Sequence, residues 1–444
     1  MRGYPVYKLT VDILYVSQYF PPESCAPAAR VYELSRSWVQ AGARVSVLTA
    51  FPNHPTGTIP RHYRGKLYQA EDVDGIKIHR TFIYPAANKG FWGRALNYLS
   101  FAVSALLTGA LKLETPDVVV ATSPQFLVAL SGYLLAKLLR APFVFEVRDL
   151  WPASIVAVGA LKEGSILVGM LEVLERFLYR RAHRIVVVTD SFKRLIAAKG
   201  IPESKISVSK NGVDLSAFYP GPKPQDLLRR HALEGKFVVA YIGTIGMAHG
   251  VEMLVDAAER LQGEPDIRFV AVGQGAESAG LAALAKRRGL GNITFLGAVS
   301  RSEVREWIAA SDVCAVMLRN KPLFRTVIPS KMFEIMACAR PVILAVAGES
   351  AQLLERAGAG ISIPPEDTGG FCSAVLALKR DPALMESMGT SGRRFVEEHF
   401  NRTAQAGRYL TLLAGLKPAG AIPHMETGFA LPGQSRPGMT SGIR

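Results

Sequence analysis

The segment FRTVIPSKMFEIMACARPVI (324–343) holds the residues whose types and spacing are best suited to chemistry. Pro329 suits the first turn of a helix and Ser330 suits its cap. Lys331 and Glu334 then stand three positions apart, on one side of that helix. Helix-start amides beside a lysine favour a phosphate, and a carboxylate one turn further on accepts ribose hydroxyls. The same spacing fits a surface helix with a loose Lys–Glu pair.

Two glycine-containing turns follow predicted strands. YIGTIGMAHG (241–250) contains Gly243 and Gly246, and VGQG (272–275) contains Gly273. Glycines at such positions let the backbone approach a phosphate or a nucleobase closely. Each segment fits a plain strand-to-helix turn equally well.

A cluster of charges ends another predicted strand. In FEVRDLWP (145–152), Glu146, Arg148 and Asp149 come together at the carboxyl end of the strand. Charges there must be paired or solvated. A cluster that faces a substrate and a structural ion-pair network both fit.

Two further loops are candidates for contact with a ligand. KNGVD (210–214) places Asn211 before a glycine after a strand, a pair that also favours a simple turn. FPPESCAPAAR (20–30) leaves the first strand through prolines and small residues, and either lies against a ligand or is a connecting loop.

The acidic segment EDVDG (71–75) is interpreted as a turn before a strand, although Asp72 and Asp74 have the spacing of a metal-binding pair. None of the four cysteines forms a C-x-x-C pair or has a histidine at metal-ligand spacing. The sequence therefore predicts no metal and no cofactor, and a reducing cytosolic compartment.

These candidates need rigid elements to position them, and short β-branched runs alternating with helical stretches supply them. The strands are predicted at 11–17, 44–49, 76–82, 117–123, 143–149, 184–190, 237–244, 266–273, 292–297, 312–318 and 341–346. Ser300 and Glu303 form a predicted capping box for the helix over 300–310.

Two such series predict two doubly wound α/β domains with a ligand cleft between them. We predict a first domain over 1–205 and a second over 206–382, because the segment around 219–226 is rich in proline and polar residues. A helical stretch at 383–414 crosses back to the first domain, and the Gly- and Pro-rich tail 415–444 is predicted to be disordered.

The chain has 444 residues and a net charge of +15, which indicates an anionic partner. No helix-turn-helix, zinc-finger or RNA-binding signature is present, so nucleic acid is not the expected partner. The stretch 95–111 carries no charge, and Asn97, Ser100, Ser104 and Thr108 form a mildly polar face on it. It fits a helix at a membrane surface or an ordinary packed helix.

The order FPPE, NGVD, YIGTIG, VGQG, NITFLGAV and PSKMFEIMACARPVI resembles the retaining family 4 glycosyltransferases. YFPPE, RDLWP, YIGTIG and PSKMFE resemble the WbuB-type enzymes, which build bacterial surface polysaccharides. The likeness covers roughly residues 11–410. It implies a GT-B fold and a sugar-nucleotide donor, with a UDP-linked N-acetylated sugar as the expectation.

The resemblance also implies roles for individual residues. Glu334 resembles the glutamate that binds ribose, Ser330 and Lys331 fall where the donor diphosphate or ribose lies, and Gly243 and Thr244 correspond to the loop near the diphosphate.

This sequence departs from the family pattern at four places. Thr326 stands eight positions before Glu334, where a first glutamate is usual. Thr244 and His249 stand where the diphosphate loop usually has Arg and Lys. Ala26-Pro27 replaces Gly-Gly, and Thr122 takes the position of a histidine.

The expected function is therefore metal-independent, retaining transfer of a sugar from a nucleotide-sugar donor to a lipid-linked or glycan acceptor. Lys331, Arg148, Asp149 and Glu146 are the candidate catalytic residues. Glu334, Ser330, Asn211 and the glycine turns are the candidate donor contacts. The chain is expected to be cytoplasmic and peripheral at the inner face of the cell membrane. A sugar-nucleotide epimerase and a non-catalytic basic membrane-binding protein are the alternatives.

Overall fold

The structure is a computed structural model, and it describes residues 11–23, 25–87, 91–157, 159 and 161–417. Its first sheet has the strand order β3-β4-β2-β1-β5-β6-β7-β8, and every pairing is parallel except β3 with β4. The strands are β1 (Asp12–Val16), β2 (Arg44–Ala50), β3 (Tyr68–Val73), β4 (Ile76–Thr81), β5 (Val118–Thr122), β6 (Phe143–Val147), β7 (Arg184–Val187) and β8 (Ile206–Val208).

The second sheet is wholly parallel, in the order β11-β10-β9-β12-β13-β14. Its strands are β9 (Phe237–Ile242), β10 (Ile267–Val272), β11 (Ile293–Gly297), β12 (Val313–Met317), β13 (Val342–Ala345) and β14 (Gly360–Ser362). Central strands such as β5 and β12 are buried along their whole length, which is why they appear in the sequence as continuous apolar runs.

Helices cover both faces of each sheet. The first domain has α1 (Ala26–Gln40), α2 (Phe91–Lys112), α3 (Phe126–Leu138), α4 (Ala153–Ala157), α5 (Ile166–Arg181) and α6 (Asp190–Ala198). The remaining helices are α7 (Gln225–Arg230), α8 (Glu252–Arg260), α9 (Ser278–Arg287), α10 (Arg301–Ala310), α11 (Lys331–Ala337), α12 (Glu349–Ala357), α13 (Thr368–Arg380), α14 (Pro382–His399) and α15 (Arg402–Ala414). The predicted capping box of Ser300 and Glu303 is present at α10.

The chain returns to the first domain after the second sheet is complete. α14 packs against α11 in the second domain, whereas α15 packs against α1 in the first. The Trp38 indole N–H donates to the Ala406 carbonyl oxygen at 3.0 Å, and the Trp38 ring contacts Tyr409 edge-on. This helix therefore fastens the second domain to the back of the first.

The predicted domain boundary at 205 needs a correction. β8 pairs in parallel with β7, so the first sheet extends to Val208, three residues into the predicted second domain. The apolar residues of the connecting segment, Phe218 and Leu227 among them, join the core of the second domain. Of the tail predicted to be disordered, residues 418–444 lie outside the described residues.

The apolar stretch 126–139 is a core helix. Gly132 of α3 sits so close to β5 that a Cβ there would lie 2.4 Å from Ala121 Cβ, and most of α3 is buried between α2, β5 and β6. Leu134 and Leu138 remain exposed, so one edge of this mostly buried helix faces outward.

Candidate active site between the two domains

The segments that follow the carboxyl ends of the two sheets contact each other. α4 follows the carboxyl end of β6, and the 3-10 turn Pro322–Thr326 follows the carboxyl end of β12; these two segments contact each other. Val327 packs against the core of the first domain. The loops that carry the candidate residues of both domains therefore border one cleft, as expected for facing parallel sheets.

Lys331 is the first residue of α11, and its ammonium group is enclosed by the protein. Nζ lies 3.9 Å from the centroid of the Tyr241 ring and has no hydrogen-bond partner. No ion pair joins Lys331 to Glu334 among the described residues, so the loose surface pair is not what forms. Burial lowers the pKa of Lys331 to about 7, and the charge of Glu334 opposes this only in part. An anion placed here would restore the charged form.

The glycine turn after β9 makes room for this ammonium. Gly243 has φ 139°, and a Cβ on it would lie 2.6 Å from Lys331 Nζ. Gly273, with φ 138°, packs backbone on backbone against the same turn, since its Cβ would lie 1.9 Å from the Gly243 carbonyl oxygen. Gly246 is different, because the nearest atom to its Cβ would be 3.6 Å away. Gly243 and Gly273 are thus required by the geometry, and Gly246 is not.

The other residues of this turn supply no positive charge beside Lys331. Thr244 is exposed, and its carbonyl oxygen accepts from the Tyr241 hydroxyl at 2.6 Å. Burial, with the charge of Lys331 as a second cause, lowers the pKa of His249 to about 4. His249 is therefore a neutral imidazole at physiological pH and does not replace the positive charge usual at this position.

Ser330 does not cap α11, contrary to the prediction. Its side chain makes no cap hydrogen bond, and its hydroxyl oxygen accepts from Asn211 Nδ2 at 3.2 Å. Asn211 in turn accepts from Arg30 Nη1 through Oδ1 at 2.8 Å. α1 of the first domain is thereby linked to the start of α11 in the second. Since the Ser330 oxygen accepts from Asn211, its proton is free to point into the cleft.

Glu146 holds Arg30, the first residue of this link, in place through an ion pair. It is fully buried, accepts from the Tyr15 hydroxyl at 2.6 Å and pairs with Arg30 at 2.9 Å. Burial alone would raise the pKa of Glu146, but the charges of Arg30 and Arg148 outweigh it and hold the pKa below its usual value. Both oxygens are committed inside the protein. Glu146 therefore forms the structural ion pair that the sequence left open, and this placement does not favour the predicted catalytic role.

Arg148 and Asp149 lie above Glu146, at the edge of the sheet. Their backbone N–H groups donate to Ser123 Oγ at 2.7 and 3.2 Å. The Arg148 guanidinium donates from Nη2 to the Ala26 carbonyl oxygen at 3.4 Å, while Nε and Nη1 are buried without partners. Burial, followed by the charge of Arg30, lowers the pKa of Arg148, and burial raises the pKa of Asp149. Arg148 is thus a second buried cation with unpaired donors that an anion could accept from.

Glu334 lies in the first turn of α11, near charges contributed by both domains. Burial raises its pKa, while Arg301 and Arg402 act in the opposite direction. Both arginines also pair with Glu33 of α1, Arg301 at 2.5 Å. The Glu334 carboxylate forms no salt bridge of its own among the described residues, and so it is available to a ligand.

A small, open cavity lies in the first domain, on the same edge of the sheet. Its amides form a connected floor: Gln18 Nε2 donates to Asn97 Oδ1 at 2.8 Å, and Asn97 Nδ2 donates to Asn53 Oδ1 at 3.0 Å. Gln18 Oε1 is buried without a partner. Groups of this kind recognise hydroxyls. No local pattern in the sequence indicates this cavity, because Gln18, Asn53 and Asn97 come from three separate segments.

Asp72 and Asp74 lie far along the chain from these loops, at the β3–β4 hairpin. Asp72 Oδ1 accepts from the Gly75 N–H at 3.1 Å, and Asp74 accepts from the Tyr32 hydroxyl. Asp74 and Gly75 both have positive φ, as a tight hairpin requires. The turn interpretation is confirmed for Asp74 and Gly75, whereas Asp72 belongs to strand β3. Within the described ranges no group of three His, Cys, Asp or Glu side chains is placed to hold a metal ion.

Two doubly wound domains facing each other across a cleft, with cations and glycine turns at its edges, define the GT-B class of glycosyltransferases. The solved structures agree. The chain is similar to a sucrose-phosphate synthase from Thermosynechococcus elongatus, with a TM-score of 0.72 and 18% identity, covering 91% of this chain and 98% of that one. It is also similar to HepE of Anabaena in complex with UDP and glucose, with a TM-score of 0.69 and 17% identity, covering 91% and 99%.

Sequence comparison gives the family. Residues 26–212 match the glycosyl transferase 4-like domain, and residues 236–381 match glycosyl transferases group 1. A putative colanic acid biosynthesis glycosyl transferase, WcaI of Escherichia coli K12, is 25% identical over 388 residues, 85% of this chain and 94% of that protein. The chain belongs to the glycosyltransferases that these two domains describe.

Proposed function

We propose that this chain transfers a sugar from a nucleotide-sugar donor, with retention of anomeric configuration, to a lipid-linked or glycan acceptor in surface-polysaccharide synthesis. HepE, a structural neighbour, is complexed with UDP and glucose, and WcaI is assigned to colanic acid biosynthesis; both support this choice. A UDP-linked N-acetylhexosamine is the donor we favour.

The observation that carries the proposal is the unpartnered ammonium of Lys331. It is buried over Tyr241 beside Gly243 and has no hydrogen-bond partner in the described chain. Burying a charge without a partner is costly, so such a site is expected to be completed by an anion. A donor diphosphate between the Gly243 turn and α11 supplies that anion, with Glu334 placed to accept ribose hydroxyls.

The same groups account for catalysis. The acceptor hydroxyl attacks the anomeric carbon on the face from which the diphosphate leaves, and the bond between that carbon and the phosphate oxygen breaks. The departing oxygen takes the proton of the attacking hydroxyl, so no protein base is required. Negative charge grows on the diphosphate, and Lys331 and Arg148 stabilise it there.

The Arg30–Asn211–Ser330 link holds the two halves of this site in register. It keeps α11 next to the first domain. Correct placement of donor and acceptor supplies much of the rate acceleration in reactions of this kind. An epimerase would need acids and bases around the sugar, for which Glu146 and Asp149 are the candidates. That alternative loses support, because Glu146 is committed to Arg30 and Tyr15.

The test begins with thermal stabilisation of the purified chain by a panel of sugar nucleotides, because a ligand stabilises according to its occupancy. Donor turnover is then followed with the stabilising compound, and the configuration of the new bond is read by NMR. Arg148→Met is expected to lower turnover more than donor affinity. An inverted product, or donor epimerised without an acceptor, would overturn the proposal.

A further inference from the structure

Helix α2 presents its polar side to the protein and its apolar side to the outside. Asn97 donates to the Tyr84 carbonyl oxygen at 2.7 Å, Ser100 accepts from the Tyr84 N–H at 2.8 Å, and the Thr108 and Thr81 hydroxyls are 2.7 Å apart. The polar face recognised in the sequence is thus the attachment face. The opposite face is exposed and apolar, and consists of Trp92, Leu96, Leu99, Val103, Leu107 and Leu111.

An ordinary surface helix turns its apolar face to the core and its polar face to solvent, and α2 does the opposite. α2 is long and apolar enough to cross a bilayer by composition. However, its polar face is hydrogen-bonded along its length to β4 and the segment after it, so the helix is bound to the domain from Asn97 to Thr108. The helix is therefore suited to lie along a surface.

A second helix, which the sequence analysis did not select, continues the same face. α5 exposes Ile166, Leu167, Met170, Val173 and Phe177, a stripe at helical spacing. α2 packs on α3, and α3 packs on α5, and all three cover the same side of the first sheet. Most of the exposed large apolar side chains in the described chain lie on these three helices. A patch of this extent marks an interaction surface.

Basic side chains border the patch. They are exposed at or just after the carboxyl ends of the three helices: Lys112, Lys137, Arg140, Arg180 and Arg181. Two copies of the chain pairing through this face would bring like charges together. An anionic lipid surface supplies the opposite charge to the border and an apolar phase to the helices.

We propose that the outer face of α2, α3 and α5 seats the first domain in an anionic bilayer surface, with these helices in the plane of the membrane. This inference rests on the proposed function in one respect, namely the reason why the membrane-binding face lies next to the cavity. Asn97 and Tyr98 of α2 line the amide-floored cavity, and Trp92 is exposed at the same end of the helix. The acceptor cavity therefore opens at the level of the lipid headgroups, where the sugar of a lipid-linked acceptor lies.

The experiment uses the purified full chain and vesicles of phosphatidylcholine with or without phosphatidylglycerol. The chain is expected to sediment with the anionic vesicles and to be released in part by salt. The variants Val103→Asp/Leu107→Asp in α2 and Met170→Asp/Val173→Asp in α5 should each lower partitioning by about tenfold or more. Leu384→Asp, at an exposed apolar residue of α14, is the control and should bind like the parent chain.

Trp92 supplies an independent readout, because it is 77% exposed, whereas Trp38 and Trp307 are buried and Trp151 is half-buried against Phe126. Vesicles of brominated lipid are expected to quench the fluorescence, and Trp92→Phe should remove most of that quenching. Binding of nucleotide sugars by all variants reports an intact fold and is measured without vesicles. Donor binding and transfer to a soluble acceptor can thus succeed or fail separately from membrane binding.

Three results would overturn the proposal: a parent chain that remains in the supernatant at low salt, acidic variants that partition normally, or a parent dimer that these substitutions dissociate without changing vesicle binding. The last result would assign the face to a second copy of the chain.

Discussion

Replacing Lys331 by methionine should stabilise the protein while abolishing its activity. The folded protein lowers the pKa of this lysine from 10.5 to about 7 through burial. At about 1.4 kcal/mol per pH unit, holding the charged form costs the folded state about 4 kcal/mol at pH 7. Methionine keeps the apolar stem over Tyr241 and removes the charge.

The sign of the pH dependence follows from proton linkage. The unfolded chain binds this proton more tightly than the folded one, so the stability of the parent chain rises with pH between about 7 and 10.5. The advantage of Lys331→Met should therefore shrink from about 4 kcal/mol at pH 7 to about 1 kcal/mol at pH 9.5. Below pH 7 the advantage should stay near its maximum.

The assay is urea unfolding of both proteins at pH 7 and pH 9.5, followed by circular dichroism. Lys321→Met is the matched control, because Lys321 is exposed in the neighbouring loop, and its stability difference should not change with pH. Equal stability of Lys331→Met and the parent chain at both pH values would refute the reasoning, since it would mean that the ammonium is solvated or paired. Transfer activity is measured on the same preparations and should be lost.

Three further outcomes are expected. Glu334→Gln should weaken nucleotide-sugar binding by about 1.5–3 kcal/mol in calorimetry, since a charged hydrogen bond to a hydroxyl is lost, while the exposed Glu355→Gln should leave it unchanged. Gly243→Ala should reduce turnover by about tenfold or more, because its Cβ would lie 2.6 Å from Lys331 Nζ. Gly246→Ala, whose Cβ would lie 3.6 Å from its nearest neighbour, should be tolerated. Similar turnover rates for the two variants would contradict the close packing of Gly243 on Lys331. Activity should survive a chelator. If the chelator abolished activity and manganese restored it, the metal-independent mechanism would be refuted.

Much of the fold could be predicted because buried parallel strands have a local signal. The runs at 117–123 and 312–318 correspond to β5 and β12, whose burial on both faces makes every position but Thr122 apolar. The strands that were missed lie at the sheet edges. β3 is half polar, and β8 and β14 have three residues each, too few for a periodic pattern.

By itself, the sequence determined which local segments hold the candidate site residues: the glycine turn after β9, the Lys331–Glu334 spacing and the charges that end β6. Those depend on residue type and on neighbours within one helical turn. The tertiary structure decided what each group does, because charge and solvation depend on residues distant in the chain. Arg30 and Tyr15 turn Glu146 into a structural anion, and Tyr241 encloses Lys331. The same holds for α2: its periodicity is visible in the sequence, but only packing against β4 shows that the polar side faces inward.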